Sequence, residues 1–161
     1  MLSSSGEYAK LKAEYAEQFA ELAAGAAMQL RTYDILISDA EHDCSGISGV
    51  SYDKIGSNPN TYVDGVHDQS MRMSSSIERW REGRKGAKLL VDSAVRAISK
   101  VGNAKYRQVL ELKYIDGFSW KQVADAIGYS VSAVKHMKVP ALAMLHDVMP
   151  EQFRIPEYDA V

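Results

Sequence analysis

Cysteine, proline and long apolar runs are all scarce in this chain, and each shortage removes a class of protein. One cysteine, Cys44, among 161 residues cannot make an intramolecular disulfide framework. No window approaches the ~20 consecutive apolar residues that a membrane span requires, and no apolar run follows a basic start in the manner of a secretion signal. The expected location is the cytoplasm, with no membrane partner. Chemistry-bearing motifs are missing as well: there is no P-loop, no dinucleotide-binding glycine pattern and no histidine pair at helical spacing. His42, Asp43 and Cys44 are consecutive, so on a helix their side chains diverge instead of converging on one metal. Cys44 with His42 or His67 as its base lacks an orienting third residue. No enzyme activity, metal or cofactor is expected.

Net charge is small, -2, which argues against an indiscriminate polyanion binder. The average conceals a division. Residues 72–138 hold 14 Lys and Arg against 6 Asp and Glu, a net of +8, and the remainder carries -10. A basic segment is what attraction to phosphate requires, and an acidic remainder would point away from it. Ordinary solvated helix faces are the alternative account, and the coincidence of the basic segment with the motif below counts against it.

Within that basic segment, Tyr106–Leu145 has the residue types of a helix-turn-helix. Ser119 with Gln122 three residues on is a capping-box pattern, which predicts a helix from about Trp120 to Ile127. Ala124 is small enough for two helices to cross closely. Gly128 falls where the chain must turn, at a position suited to positive φ. A second helix is expected to open at Ser130, with Val134 and Met137 facing Val123 and Ile127, Val131 at the rim, and Ser132, Lys135, His136 and Lys138 outward. Those four, with Ser130 at the helix start and Lys121 and Gln122 on the preceding helix, are the candidate contacts to double-stranded DNA. Trp120 is expected to be a packing anchor. Pro140 removes a backbone donor and clashes with the carbonyl of His136; a break near Lys138, with a new helix starting at Pro140, is favoured over one kinked helix.

The pattern Leu110, Leu112, Tyr114, Gly117, Ser119, Ala124, Gly128, Ser130, Val134 and Lys135 resembles region 4 of bacterial sigma factors. Over more of the chain, the long helical N-terminal part, the Tyr-Asp loop, the second long helix and the stretch YIDGFSWKQVADAIGYS resemble the phage and prophage late transcription regulators of the ArpU/RinA type. That resemblance implies activation of a late promoter in a bacterial host cell, with RNA polymerase as a candidate partner.

Ahead of the helix-turn-helix, two long helices are expected. In the first, Tyr8, Leu11, Tyr15, Phe19, Leu22, Ala26, Leu30, Tyr33 and Ile37 recur in steps of three and four, a single apolar stripe. In the second, capped by Asp64 or Asp68, the series Met73, Ile77, Trp80, Arg84, Ala87, Val91, Ala94, Ile98 and Val101 is a heptad seam. Gly83 and Gly86 weaken it beside Arg84, and Gly102-Asn103 is read as its end. The fold expected is therefore all-α: two long helices, an antiparallel hairpin joined by a Gly/Ser-rich loop at about 44–65, then the helix-turn-helix. Residues 1–102 form the hairpin, 103–148 the DNA-binding domain and 149–161 a tail. A hairpin alone has a thin core, so a homodimer competes with intramolecular packing as cover for the apolar faces. Two other functions stay open: a phage small terminase subunit that recognises packaging DNA, and a polymerase-binding protein without DNA specificity.

Overall fold

The computed structural model describes residues 3–47 and 63–156. Its helices are α1 (Ser3–Ile47), α2 (Val63–Ser99), α3 (Ala104–Leu110), α4 (Trp120–Ile127) and α5 (Val131–Val148); a π-helical turn, Glu111–Ile115, continues α3, and a 3-10 turn spans Glu151–Phe153. No strand occurs among the described residues, and the all-α class holds. The loop expected at about 44–65 is shorter at both ends, because α1 runs on to Ile47 and α2 begins at Val63, ahead of both Asp64 and Asp68. The remainder of that expected loop, residues 48–62, lies outside the described residues.

The chain divides into two compact units, Met1–Met28 with Ala87–Val161, and Gln29–Gly86. Packing in the first unit runs across the 102/103 boundary drawn from the sequence. Its core joins Ala16, Phe19, Ala20 and Ala23 of α1, Ala94, Ile98 and Val101 from the α2 side, and Leu142 and Leu145 of α5. The physical reason is that α5 carries apolar residues beyond what α4 alone can cover, and α1 and α2 supply the rest of the cover. The face that α1 buries overlaps the stripe expected, with Phe19 and Ala26 buried and Leu11, Tyr15, Leu30, Tyr33 and Ile37 half-buried, but is shifted towards neighbouring alanines. Ala13, Ala16, Ala20 and Ala23 are buried, whereas Leu22 is 53% exposed and Tyr8 41%. Alanine favours the helix intrinsically and lets backbones approach closely. The α2 seam agrees better with expectation: Ala87, Ala94, Ile98 and Val101 are all buried.

Residues just past α5 belong to this core. Met149 is fully buried, Phe153 packs on Phe19 with ring centroids 4.8 Å apart and the rings tilted by 40°, and Arg154 Nε donates to the Met149 carbonyl at 2.8 Å. His146, also buried, accepts the Ile155 N–H on Nε2 at 3.2 Å and lies with Nδ1 3.3 Å from Asp147. That pair of contacts specifies a neutral imidazole with its proton on Nδ1. Lys12 of α1 closes the group by donating to Asp147 at 2.7 Å.

In the second unit, α1 and α2 are tied by Arg84–Asp34 at 2.5 Å and Arg81–Glu41 at 2.7 Å. As numbers rise along α1 they fall along α2, the order an antiparallel pair requires. Gly83 has a specific role beside Arg84. A β-carbon there would sit 2.6 Å from the Tyr33 hydroxyl, so the missing side chain is the seat of Tyr33.

Candidate functional site

Short-range signals place the helix-turn-helix. Asn103 caps α3, its side chain accepting from Lys105 N and Tyr106 N; it opens the domain, where the sequence suggested the end of α2. Ser119 Oγ accepts from Gln122 N, and Gln122 Oε1 accepts from Ser119 N at 2.8 Å, a complete capping box at the start of α4. Gly128 ends α4 with φ 74°, the left-handed region that costs glycine least. Ser130 then caps α5 by accepting from Ala133 N at 3.2 Å.

Tertiary packing fixes the angle between α4 and α5. Val109, Val123, Ala124 and Val134 form a buried cluster, with Ile127, Met137, Phe118 and Trp120 against it. Val134 and Met137 therefore face Val123 and Ile127 as expected, and Trp120 is a packing residue with Lys113 Nζ 5.2 Å above its ring. Lys113 also donates to the Phe118 carbonyl at 3.2 Å, bracing the turn that precedes α4.

Pro140 does not break the recognition helix. A single α5 runs from Val131 to Val148 with the proline inside it. Val134 anchors the helix before Pro140 and Ala141, Leu142 and Leu145 anchor it after, so burial on both sides outweighs one lost backbone bond. The orphaned carbonyl belongs to His136, an exposed residue that water can reach.

The seven residues proposed to touch DNA fall into two groups. Ser132, Lys135 and His136 are exposed on α5, as is Lys121 in the first turn of α4. The other three are engaged within the chain. Gln122 and Ser130 hold the two caps. Lys138 is drawn out of the outward set: its ammonium pairs with Glu17 of α1 at 2.5 Å, and both side chains are 30% exposed. Sequence reading also missed a contact at the inter-helix turn. Lys105 donates to the Tyr129 hydroxyl and lies 4.9 Å from the ring centroid. Spacing along the chain carries no signal for a pair 24 residues apart. Among the described residues, no group of His, Cys, Asp and Glu is placed to hold a metal ion, and no helix is long and apolar enough to cross a membrane.

The order of caps, glycine turn and crossing helices decides what the C-terminal part resembles. Residues 103–145 match the family model for sigma-70, region 4. The matched stretch begins at the Asn103 cap and ends within α5, at Leu145. Both α1 and α2 lie outside the match. No curated protein and no solved structure matches the chain.

Proposed function

We propose that the protein is a sequence-specific DNA-binding transcriptional regulator of phage or prophage genes, acting in the cytoplasm of a bacterial host cell without catalysing a reaction. The observation that carries this reading is the exposed face of α5, where Ser132, Lys135 and His136 stand clear of the core on a helix held by α4 at a helix-turn-helix crossing. Such a helix enters the major groove of double-stranded DNA, with its early residues against base edges. Lys121 and Lys135 supply attraction to phosphate. The late-gene role rests on the resemblance of the chain to the ArpU/RinA regulators, and α1 with α2 is the part available for a partner or a second copy.

One observation favours a rival reading, a sigma-like fold that binds RNA polymerase without choosing a DNA sequence. With Lys138 tied to Glu17, Lys135 is the one lysine of α5 left for phosphate. Selection of bound duplexes from a random-sequence pool, repeated at two salt concentrations, separates the two. An enriched motif whose affinity falls steeply with salt supports the regulator; no enrichment, with retained binding to polymerase, supports the rival.

A further inference from the structure

The outward face of α5 carries two exposed valines among its polar residues. Val131, Lys135 and Val139 are four residues apart, so they form one row along the helix surface. Val131 is 36% exposed and Val139 is 45% exposed. Neither belongs to the two buried clusters or to the side chains packed against them. Ser132 and His136 form the adjacent row. β-Branched residues are also poor helix formers, so neither packing nor propensity accounts for two valines at exposed positions on this side.

Resting on the DNA-binding reading above, we propose that Val131 and Val139 are base-reading residues that contact the 5-methyl groups of thymines on either side of the Lys135 contact. The major groove presents one apolar group, the thymine methyl, and an aliphatic side chain is its natural counterpart. Lys135 on the same row, with Ser132 and His136 beside it, makes the occupant a polyanion carrying methyl groups rather than an apolar protein surface. Val131 and Val139 are eight residue steps apart, or about 12 Å of helix, so the two valines reach different base pairs. Specificity then comes in part from methyl burial, which does not depend on salt, and Lys135 provides the salt-dependent share.

The test uses the full-length protein and the duplex enriched by selection. Each thymine is replaced in turn by deoxyuridine, which removes only the methyl group. At one or more positions the affinity of the unaltered protein should fall about three- to fivefold, as expected for one buried methyl. Val139→Ala should abolish the sensitivity at one such position, and Val131→Ala at another, with the remaining positions unchanged. Alanine is the better helix former, so both variants keep the fold. An enriched site that lacks thymine, or whose thymines all tolerate uracil, or whose sensitivity persists in both variants, overturns the proposal and leaves DNA binding standing. A pool with no enriched site overturns the DNA-binding reading and this proposal with it.

Discussion

Lys138 on the recognition helix and Glu17 on α1 are joined by an ion pair of 2.5 Å, although 121 positions separate them in the chain. The pair turns a candidate DNA contact into a strut between two helices of one core. Lys135→Ala should therefore weaken DNA binding and reduce the slope of log affinity against log salt by about one. Lys138→Ala should leave that slope nearly unchanged and lower stability by less than ~1 kcal/mol, the range for a partly exposed pair. Titrations at several salt concentrations, with thermal melts of both variants, check the two halves together.

Pro140 offers a second test. Replacing it by alanine restores a backbone donor for the His136 carbonyl in a helix that is already continuous. Stability should rise by about 1–3 kcal/mol, up to the usual penalty for proline inside a helix. A melting temperature that falls would show that the surrounding core depends on the proline's shape.

Three glycines within the long helices should respond differently. Gly25 and Gly86 have open space where a β-carbon would go, so alanine at either should stabilise by roughly 0.5–1 kcal/mol. Gly83→Ala should destabilise, since its methyl meets the Tyr33 hydroxyl at 2.6 Å. In a Tyr33→Ala background the same change should become stabilising. Denaturant unfolding of the four-member cycle reads the sign reversal directly.

Acid should loosen the end of the first unit through His146. Burial lowers its pKa below the ordinary 6.5, outweighing the hydrogen bond to Asp147 and that residue's charge, which pull the other way, while Lys12 and Arg154 lower it further. The folded state holds this imidazole neutral, so the unfolded chain binds the proton more readily. Stability is then unaffected above pH 6.5 and declines as pH falls through that value towards the lowered folded one. Asp147 belongs to a separate window: burial raises its pKa, the hydrogen bonds from Lys12 and His146 outweigh that, and the net shift is below the ordinary 3.8. Melting temperatures between pH 7.5 and 5 should drop for the unaltered protein and stay flatter for His146→Gln.

Legibility in the sequence follows the range of the interaction. Ser119, Gln122, Gly128 and Ser130 act within a turn of their own position, and the sequence alone places each. Asn103 is equally local, but its residue type suits a helix end as well as a helix start, and only the bonds from Lys105 and Tyr106 decide. The buried face of α1 is legible only in part: Phe19 and Ala26 belong to the apolar stripe, but large side chains such as Tyr8 and Leu22 also dominate it, whereas close helix contact selects the alanines beside it. The local geometry of Pro140 favours a break, and the cover that α1 and α2 give to α5, which keeps the helix whole, has no local signature. The Glu17–Lys138 and Lys105–Tyr129 contacts depend on tertiary placement, for which one chain offers no pattern. The tyrosine at 114 shows the same limit. Burial raises its pKa, with Glu17 and Glu21 adding to the effect, and two of those three carboxylate and phenol positions lie on a helix nearly a hundred residues away.

The π-helical turn Glu111–Ile115 acts as a phase shifter. Helix α3 and this turn together face two ways: Val109 and Leu112 towards the helix-turn-helix cluster, Leu110, Tyr114 and Ile115 towards the larger core. A wider turn holds one more residue than an α-helical turn, and one residue of α-helix is about 100° of rotation. Chain length between Leu110 and Asp116 is thus a setting, and deleting a single residue there would rotate the side chains that follow it in the turn, Tyr114 and Ile115 among them, by more than a quarter of a circle.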